Sequence, residues 1–259
     1  MAALADKDKS VRLAALKALG VIAGDPQIPA LLKLAKETTD NEEFSAVESA
    51  LTGTAARRGD ACASQFGAAL EGASPACAAA MLRALGASNT RKAMDTVAAQ
   101  TKNANAEVKD VAVHVLAEWR EKTAVAPLLE LAQTTENQAH RVLALRGVIR
   151  LLDRDMKDPE KLTALEGVLK AAKSPEEKRM ALGKLQDIQT MHSFELVAPC
   201  LDDAAVKEEA AMALVKIADR IAKNNADAVR DALEKAAKAT SSKDVRSNAE
   251  RILGQIKKQ

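Results

Sequence analysis

The sequence predicts an all-α fold, a solenoid of helical hairpins that stack as a single array over residues 1–259. Three observations support this prediction. The hydrophobic residues, 47% of the chain, are mostly Ala and Leu, with three Phe, one Trp and no Tyr, so helix formers are abundant and strand formers scarce. A helical motif recurs about every 33 residues, a period typical of helical solenoids. Each copy also leaves room for a second helix.

The first helix of each copy begins at a short polar residue. In the opening segment DKDKSVRLAALKALG, Asp8 precedes Val11, Ala15 and Leu19, which share one helical face. Short polar side chains accept hydrogen bonds from the free N–H groups of a first helical turn. The equivalent position in each of the eight copies gives the predicted caps, which are Asp8, Asp40, Ser74, Asn105, Asn137, Ser174, Asp203 and Ser242.

Two positions in each copy, seven and eleven residues after the cap, are always apolar and predict the buried face of these helices. The first column comprises Ala15, Val47, Met81, Ala112, Ala144, Ala181, Ala210 and Ala249. The second comprises Leu19, Leu51, Leu85, Leu116, Val148, Leu185, Leu214 and Leu253. In the first copy Leu13, Leu16, Leu19 and Ile22 form a wide apolar arc, as expected of a helix that is packed on two sides.

A third position, four residues after the cap, is basic in six of the eight copies. This basic column comprises Arg12, Lys109, Arg141, Lys178, Lys207 and Arg246, and Phe44 and Ala78 interrupt it. We interpret it as a ladder of side chains that bond neighbouring repeats or loops. A basic binding stripe is the alternative.

Second helices follow the first ones. Asp25-Pro26 predicts a cap followed by proline at the first helical position, where the missing N–H costs little. Similar second helices are predicted from Thr123 and Phe194. The pairs Ser74-Pro75, Asp158-Pro159 and Ser174-Pro175 are further cap-then-proline starts, and Ser174 with Glu177 forms a capping box. Small residues are frequent in residues 61–86, which predicts close helix approach there.

On these residues the chain resembles the HEAT-repeat family. The segment DKDKSVRLAALKALGVIAGDPQIPALLKLAK is similar to the short bacterial repeats of phycobilin lyases, and the resemblance covers nearly the whole chain. It implies a right-handed α–α superhelix of about seven and a half hairpins, with first helices outside and second helices on the concave side. The family hosts scaffolds, adaptors and a few enzymes, so it specifies a fold and not a reaction.

The two ends differ in their patterns. Leu4 precedes Asp8 as an apolar residue precedes later caps, so residues 2–6 look like the end of a second helix. The eighth copy has only a first helix, and Glu250 stands where the first copy has Leu16, as the polar face of a terminal helix requires. We therefore expect the chain to be the C-terminal, HEAT-containing part of a longer protein.

Composition excludes several classes of protein. The net charge of +2 argues against binding to phosphate backbones, for which basic excess supplies much of the affinity. No apolar run approaches the roughly 20 residues of a membrane span, and the N-terminus lacks a signal-peptide pattern. Cys62, Cys77 and Cys200 lie within apolar helical patterns and are predicted to be packed free thiols. We expect a cytoplasmic protein, or an exported one if its N-terminus is truncated.

The sequence indicates no catalytic, cofactor-binding or metal-ligating residue. His114 is predicted to be exposed, His140 to be third in its helix and His192 to lie near the start of a second helix, and none has metal-ligand spacing. The His-Glu pairs of the HEAT-like deoxyhypusine hydroxylases are absent. Trp119 is predicted to lie in the core, although base-excising HEAT-like enzymes would use such an aromatic platform.

One equivalent position of the second helices is predicted to face solvent on the concave side. It comprises Lys33, Glu71, Ala99, Glu130, Lys170, Asp202 and Glu234. This concave row is either a solvated face or the lining of a groove for a protein or peptide partner of some basic character.

These observations predict a non-catalytic scaffold or adaptor. Its helical-repeat surface would bind another protein or a neighbouring domain, with neither nucleic acid nor membrane as partner. The alternative is an enzyme of the bilin-lyase type, or a chaperone for a pigment or small ligand, and a pocket lined by Trp119 or a thiol would favour it.

Overall fold

A computed structural model describes residues 2–256, and within this range the chain forms fifteen α-helices and no strand. The helices are α1 Lys9–Ile22, α2 Ile28–Glu37, α3 Asn41–Arg58, α4 Asp60–Ala69, α5 Pro75–Ser88, α6 Arg91–Gln100, α7 Ala106–Ala117, α8 Val125–Thr134, α9 Gln138–Leu151, α10 Asp158–Ala171, α11 Pro175–Leu185, α12 Met191–Val197, α13 Lys207–Ile221, α14 Ala226–Ala239 and α15 Lys243–Ile256. Short 3-10 turns precede α1, α2 and α8 and follow α12 and α13.

First and second helices alternate along the described residues, from α1 and α2 to α13 and α14, and α15 follows as a further first helix. This is the number and order of elements that the repeat predicts. The all-α prediction is confirmed, and the described residues have the alternating helices of a helical-repeat fold.

The described residues divide into two compact units. The N-terminal unit comprises residues 2–131 and 137–147, and the C-terminal unit comprises residues 132–136 and 148–256. In the N-terminal unit the first helices α1, α3, α5 and α7 pack side by side, and α2, α4 and α6 form a second row. In the C-terminal unit α11, α13 and α15 form the first row, while α10, α12 and α14 follow one another in the second. Each unit therefore has two layers of helices, because a single hairpin cannot bury both of its apolar faces.

Seven of the eight predicted caps are confirmed. In each of them the side-chain oxygen accepts a hydrogen bond from a backbone N–H of the first turn. The capping residues are Asp8, Asp40, Ser74, Asn105, Asn137, Ser174 and Ser242. The capping box of Ser174 and Glu177 is also present.

Three residues that were predicted to cap a helix do not do so, and the second helices predicted from Thr123 and Phe194 begin at Val125 and Met191. Asp203 caps no helix, because residues 204–206 form a turn and α13 begins only at Lys207; its carboxylate accepts from Ala205 N–H within that turn. Asp25 is the first residue of a 3-10 turn that starts after Gly24. Asp158 is the first residue of α10 rather than its cap, which is Lys157.

The two apolar columns form the core of the helical rows. Every residue of the two columns is buried except Ala15, which is half-buried. The wide apolar arc of α1 is only partly covered: Leu16 and Leu19 are buried, whereas Val21 is 67% and Ile22 is 73% exposed. The prediction that this helix is packed along its whole arc is therefore wrong at its C-terminal end.

Helices α1 and α3 cross at a pair of glycines. A methyl group on Gly53 would lie 3.1 Å from the carbonyl carbon of Gly20 and would overlap its carbonyl oxygen. Beside this crossing the Arg57 guanidinium donates to the carbonyl oxygens of Gly20, Gly53 and Ala23. The last carbonyl oxygens of α1 therefore accept hydrogen bonds from the Arg57 side chain of α3. A second close approach is at Gly86, where a methyl group would lie 2.8 Å from a Val115 methyl carbon, so the predicted crowding of small residues is confirmed there.

Candidate binding surface

The concave row is exposed as predicted, apart from one residue. Lys33, Glu71, Ala99, Glu130, Lys170 and Asp202 are exposed, and Glu234 is half-buried. Glu71 lies in the turn after α4 rather than on a helix. The row is divided between the two units: Lys33, Glu71, Ala99 and Glu130 belong to the N-terminal unit, and Lys170, Asp202 and Glu234 to the C-terminal unit. That these residues bind a partner remains a prediction.

Four members of the row form ion pairs. Lys102 Nζ lies 2.7 Å from Glu130, and Lys235 pairs with Asp202. Lys170 lies 2.7 Å from Glu166 and Lys33 lies 3.8 Å from Glu37, each within one helix. The row is therefore a surface of paired charges, on which an incoming charged group competes with an existing partner.

Many ion pairs connect residues that lie about one repeat apart, and this pattern was missed in the sequence. Lys9 pairs with Asp40 and Arg12 with Glu43, and both pairs have a separation of 31 residues. Further pairs of this kind are Arg58–Asp25, Arg83–Glu48, Arg179–Glu209, Lys184–Asp153, Lys216–Asp187 and Arg251–Asp219. Opposite charges that lie one repeat length apart in the sequence could have predicted these ion pairs.

The basic column acts as the predicted ladder at three of its positions. Arg12 donates to the backbone oxygens of Asp6 and Lys7 as well as to Glu43. Lys178 lies 2.6 Å from Asp203, and Lys178 holds the pKa of that carboxyl below its usual range by hydrogen bonding. Arg246 donates to the carbonyl oxygens of Ala237 and Thr240 at the end of α14. The ladder interpretation is confirmed for these residues and stays a prediction for Lys109, Arg141 and Lys207.

Two of the three histidines contact Asp110. His140 Nε2 lies 3.1 Å from Asp110 Oδ1, and the backbone N–H of His140 donates to Asn137. His114 Nδ1 lies 2.8 Å from the Asp110 carbonyl oxygen, one helical turn away. His140 is 7% exposed. His114 is exposed as predicted, and His192 lies at the second position of α12, near its start as predicted, and is exposed. Asp110 therefore ties α7 to α9, and the cluster has a structural explanation.

The three cysteines are protonated thiols at neutral pH. Burial raises the pKa of Cys62 to about 11, and it also raises the pKa values of Cys77 and Cys200. Cys62 and Cys77 are buried, whereas Cys200 is half-buried. Since the thiolate is the reactive form, these side chains are arranged for packing rather than for nucleophilic attack.

Alkylation by iodoacetamide should reflect these pKa shifts. At pH 8 a thiol of pKa about 11 has a thiolate population about 100-fold below that of an ordinary thiol, so Cys62 should react at least that much more slowly than it does in the unfolded chain. Its rate should still be rising at pH 10. Mass spectrometry of each labelled cysteine measures the rates, and the urea-unfolded chain is the control. Rapid labelling of Cys62 at pH 7 would contradict the packed-thiol interpretation.

The raised thiol pKa also affects stability at high pH. The folded chain holds the Cys62 proton more tightly than the unfolded chain does, so the protonated thiol contributes to stability. This contribution is fully present below the ordinary thiol pKa of 9.0. That contribution is lost as the pH rises through about 11.

Trp119 lies in the core, as predicted. It follows α7, and only 2% of its surface is exposed. An indole this buried cannot act as a stacking platform for a base or a pigment without rearrangement of its surroundings.

Two of the open grooves among the described residues are candidate binding features. One lies between α1 and α3 in the N-terminal unit, has a volume of about 540 Å³ and is lined by residues that include Leu13, Leu16 and Val21. The other lies between α12 and α14 in the C-terminal unit, has a volume of about 620 Å³ and includes Asp202 of the concave row. Neither groove is lined by Trp119 or by a cysteine.

Within residues 2–256, no group of three or more His, Cys, Asp or Glu side chains is arranged to hold a metal ion. In the same range, every helix is too short or too polar to span a membrane.

Comparison with solved structures finds helical-repeat proteins. Human deoxyhypusine hydroxylase is similar at 17% identity and a TM-score of 0.37, over 100% of this chain and 94% of that one. A HEAT-like repeat protein of Thermococcus onnurineus is similar at 13% identity and a TM-score of 0.39, over 95% and 93%. The CpcE–CpcF complex of phycocyanin lyase from Nostoc sp. is similar at 19% identity and a TM-score of 0.31, over 98% and 92%. No family model and no curated protein matches the chain.

Proposed function

We propose that the protein is a non-catalytic scaffold or adaptor that binds another protein, or a neighbouring domain of the same polypeptide, through its helical-repeat surface. One observation carries this proposal: the thiols and the buried histidine, which are groups that could perform chemistry, are engaged in packing or in a contact between helices. The thiols are protonated and packed. His140 links two helices through Asp110. The described surface offers open grooves.

The shifted carboxyl groups support the same interpretation. The pKa values of Asp8, Asp25, Asp40 and Glu43 are lowered by hydrogen bonds to Ser10, Arg58, Lys9 and Arg12, respectively. Each of these carboxyls either caps a helix or pairs with a base of another element. Structural caps and ion pairs lower carboxyl pKa values in this way, so these shifts need no catalytic explanation.

The charge distribution supports a protein partner rather than a nucleic acid. The net charge is only +2, and many basic side chains already contact carboxylates about one repeat away. Counterion release from a phosphate backbone needs a continuous surface of free Lys and Arg. A surface of paired charges on a framework of packed helices suits recognition of a partner with both apolar and charged groups.

Affinity capture from the native source tests this proposal. We expect a protein that co-purifies with the full chain and forms a stoichiometric complex when both are purified and recombined. Isolation of the chain with a chromophore or small ligand, and with no stable protein partner, would favour the bilin-lyase or ligand-chaperone alternative.

A further inference from the structure

The groove in the C-terminal unit lies between α12, the 3-10 turn Ala198–Asp202 and α14, and we refer to it as the α12–α14 groove. Its floor is apolar, because Phe194 and Leu201 lie beneath it, 2% and 5% exposed. Small residues widen it: Ala198, Ala228 and Ala232 line the two sides. Three short side chains at facing positions leave a volume of about 620 Å³, within the range of ordinary ligand pockets.

The edge of the α12–α14 groove is acidic. Glu195 and Asp231 line it and are exposed, and Asp202 lines it as well. Lys235 is the one base among the lining residues, and it already pairs with Asp202. At neutral pH three carboxylates and one ammonium give the lining a net charge of −2. The groove therefore combines an apolar floor with two negative groups that no lining base neutralises.

We infer that the α12–α14 groove binds a basic, amphipathic segment of the protein partner, and this inference rests on the proposed function. An apolar side chain of that segment would enter the groove above Phe194 and Leu201. Its Lys or Arg residues would meet Glu195 and Asp231 at the edge. Charge complementarity selects this occupant, because an acidic segment would be repelled by the same carboxylates and a purely apolar one would leave them without a partner.

A binding selection on the intact protein tests the inference. Random twelve-residue peptides displayed on phage are selected on the immobilised full chain, and synthetic copies of the winners are measured by fluorescence anisotropy. We expect the selected peptides to carry net positive charge around one or two large apolar residues. Their affinity should fall as salt rises from 50 to 300 mM, since exposed charge pairs are screened.

Variants locate the binding site. The double variant Glu195→Gln, Asp231→Asn should weaken binding of the selected peptides at least tenfold, and Ala228→Leu, which fills the groove, should do the same. Asp227→Asn is the matched control, because Asp227 is on the same helix with a fully exposed side chain and does not line the groove; it should change the affinity less than twofold. Thermal unfolding of each variant checks that the fold is retained.

The possible results distinguish the inference from the proposed function. Selected peptides that are acidic, or that bind the groove variants as tightly as the wild type, would overturn the inference. So would self-association of the chain that the groove variants abolish, since the occupant would then be a second copy. A captured protein that binds the groove variants normally would overturn the groove inference and leave the scaffold proposal intact. If neither peptide nor protein binds the chain, both fail.

Discussion

Replacing Gly53 with Ala is expected to lower the free energy of unfolding of the N-terminal unit by about 3 kcal/mol, at the upper end of overpacking effects. The added methyl group would overlap the Gly20 carbonyl oxygen and lie 3.4 Å from Gly20 Cα. Both are backbone atoms of α1, so relief requires movement of a whole helix. That movement would also disturb the bonds from Arg57 to the end of α1. The gain of about 1 kcal/mol in helix propensity is too small to compensate.

Gly183→Ala is the matched control for Gly53→Ala. Gly183 is also within a helix, α11, but a methyl group there would meet nothing within 4 Å. This substitution should raise stability by about 0.5–1 kcal/mol. Urea unfolding followed by circular dichroism measures both variants. Equal effects of the two substitutions would show that the α1–α3 crossing is looser than described.

Replacing Phe66 with Ala should cost about 3–5 kcal/mol. Phe66 is the largest side chain of α4 and is 0% exposed. The helix packs against α2, α3, α5 and α6, so the lost ring leaves a cavity bordered by several elements. In a repeat array each element depends mostly on its neighbours, and protection from hydrogen exchange should therefore fall most in α2 to α6.

Phe44→Ala and Phe66→Leu are the controls for this substitution. Phe44 is only half-buried in α3, so its truncation should cost clearly less than that of Phe66. Phe66→Leu should cost about 1–2 kcal/mol because most of the apolar volume is retained. A loss at Phe66 no larger than that at Phe44 would contradict the packing described for α4.

Local chemistry made most of the fold predictable. A polar cap followed by apolar residues at helical spacing is a short-range pattern, and it located seven first helices correctly. Asp203 failed because its carboxylate serves a turn and an ion pair with Lys178 instead. Asp25 and Asp158 failed by a single residue, since the 3-10 turn after Gly24 and the helix after Lys157 begin one position earlier.

The surface was less predictable than the core. The exposure of the concave row followed from helical periodicity, but its ion pairs depend on the offset between neighbouring helices, which no single repeat encodes. The α12–α14 groove was unpredictable for the same reason. Its sides are formed by Ala198 of the 3-10 turn and by Ala228 and Ala232 of α14, and these residues come together only in the folded chain. The close crossing of Gly20 and Gly53 likewise appears only when α1 and α3 are placed side by side.

The central claim is that the protein works by surface recognition and not through a reactive side chain. It is tested most directly by the dissociation constant of the captured partner from the wild type and from the variant His114→Gln, His192→Gln, Cys200→Ser. These three are the imidazole and thiol groups that retain access to solvent. We expect the two dissociation constants to agree within about twofold. A covalent adduct or a chemically altered partner that forms with the wild type and not with the variant would contradict the claim.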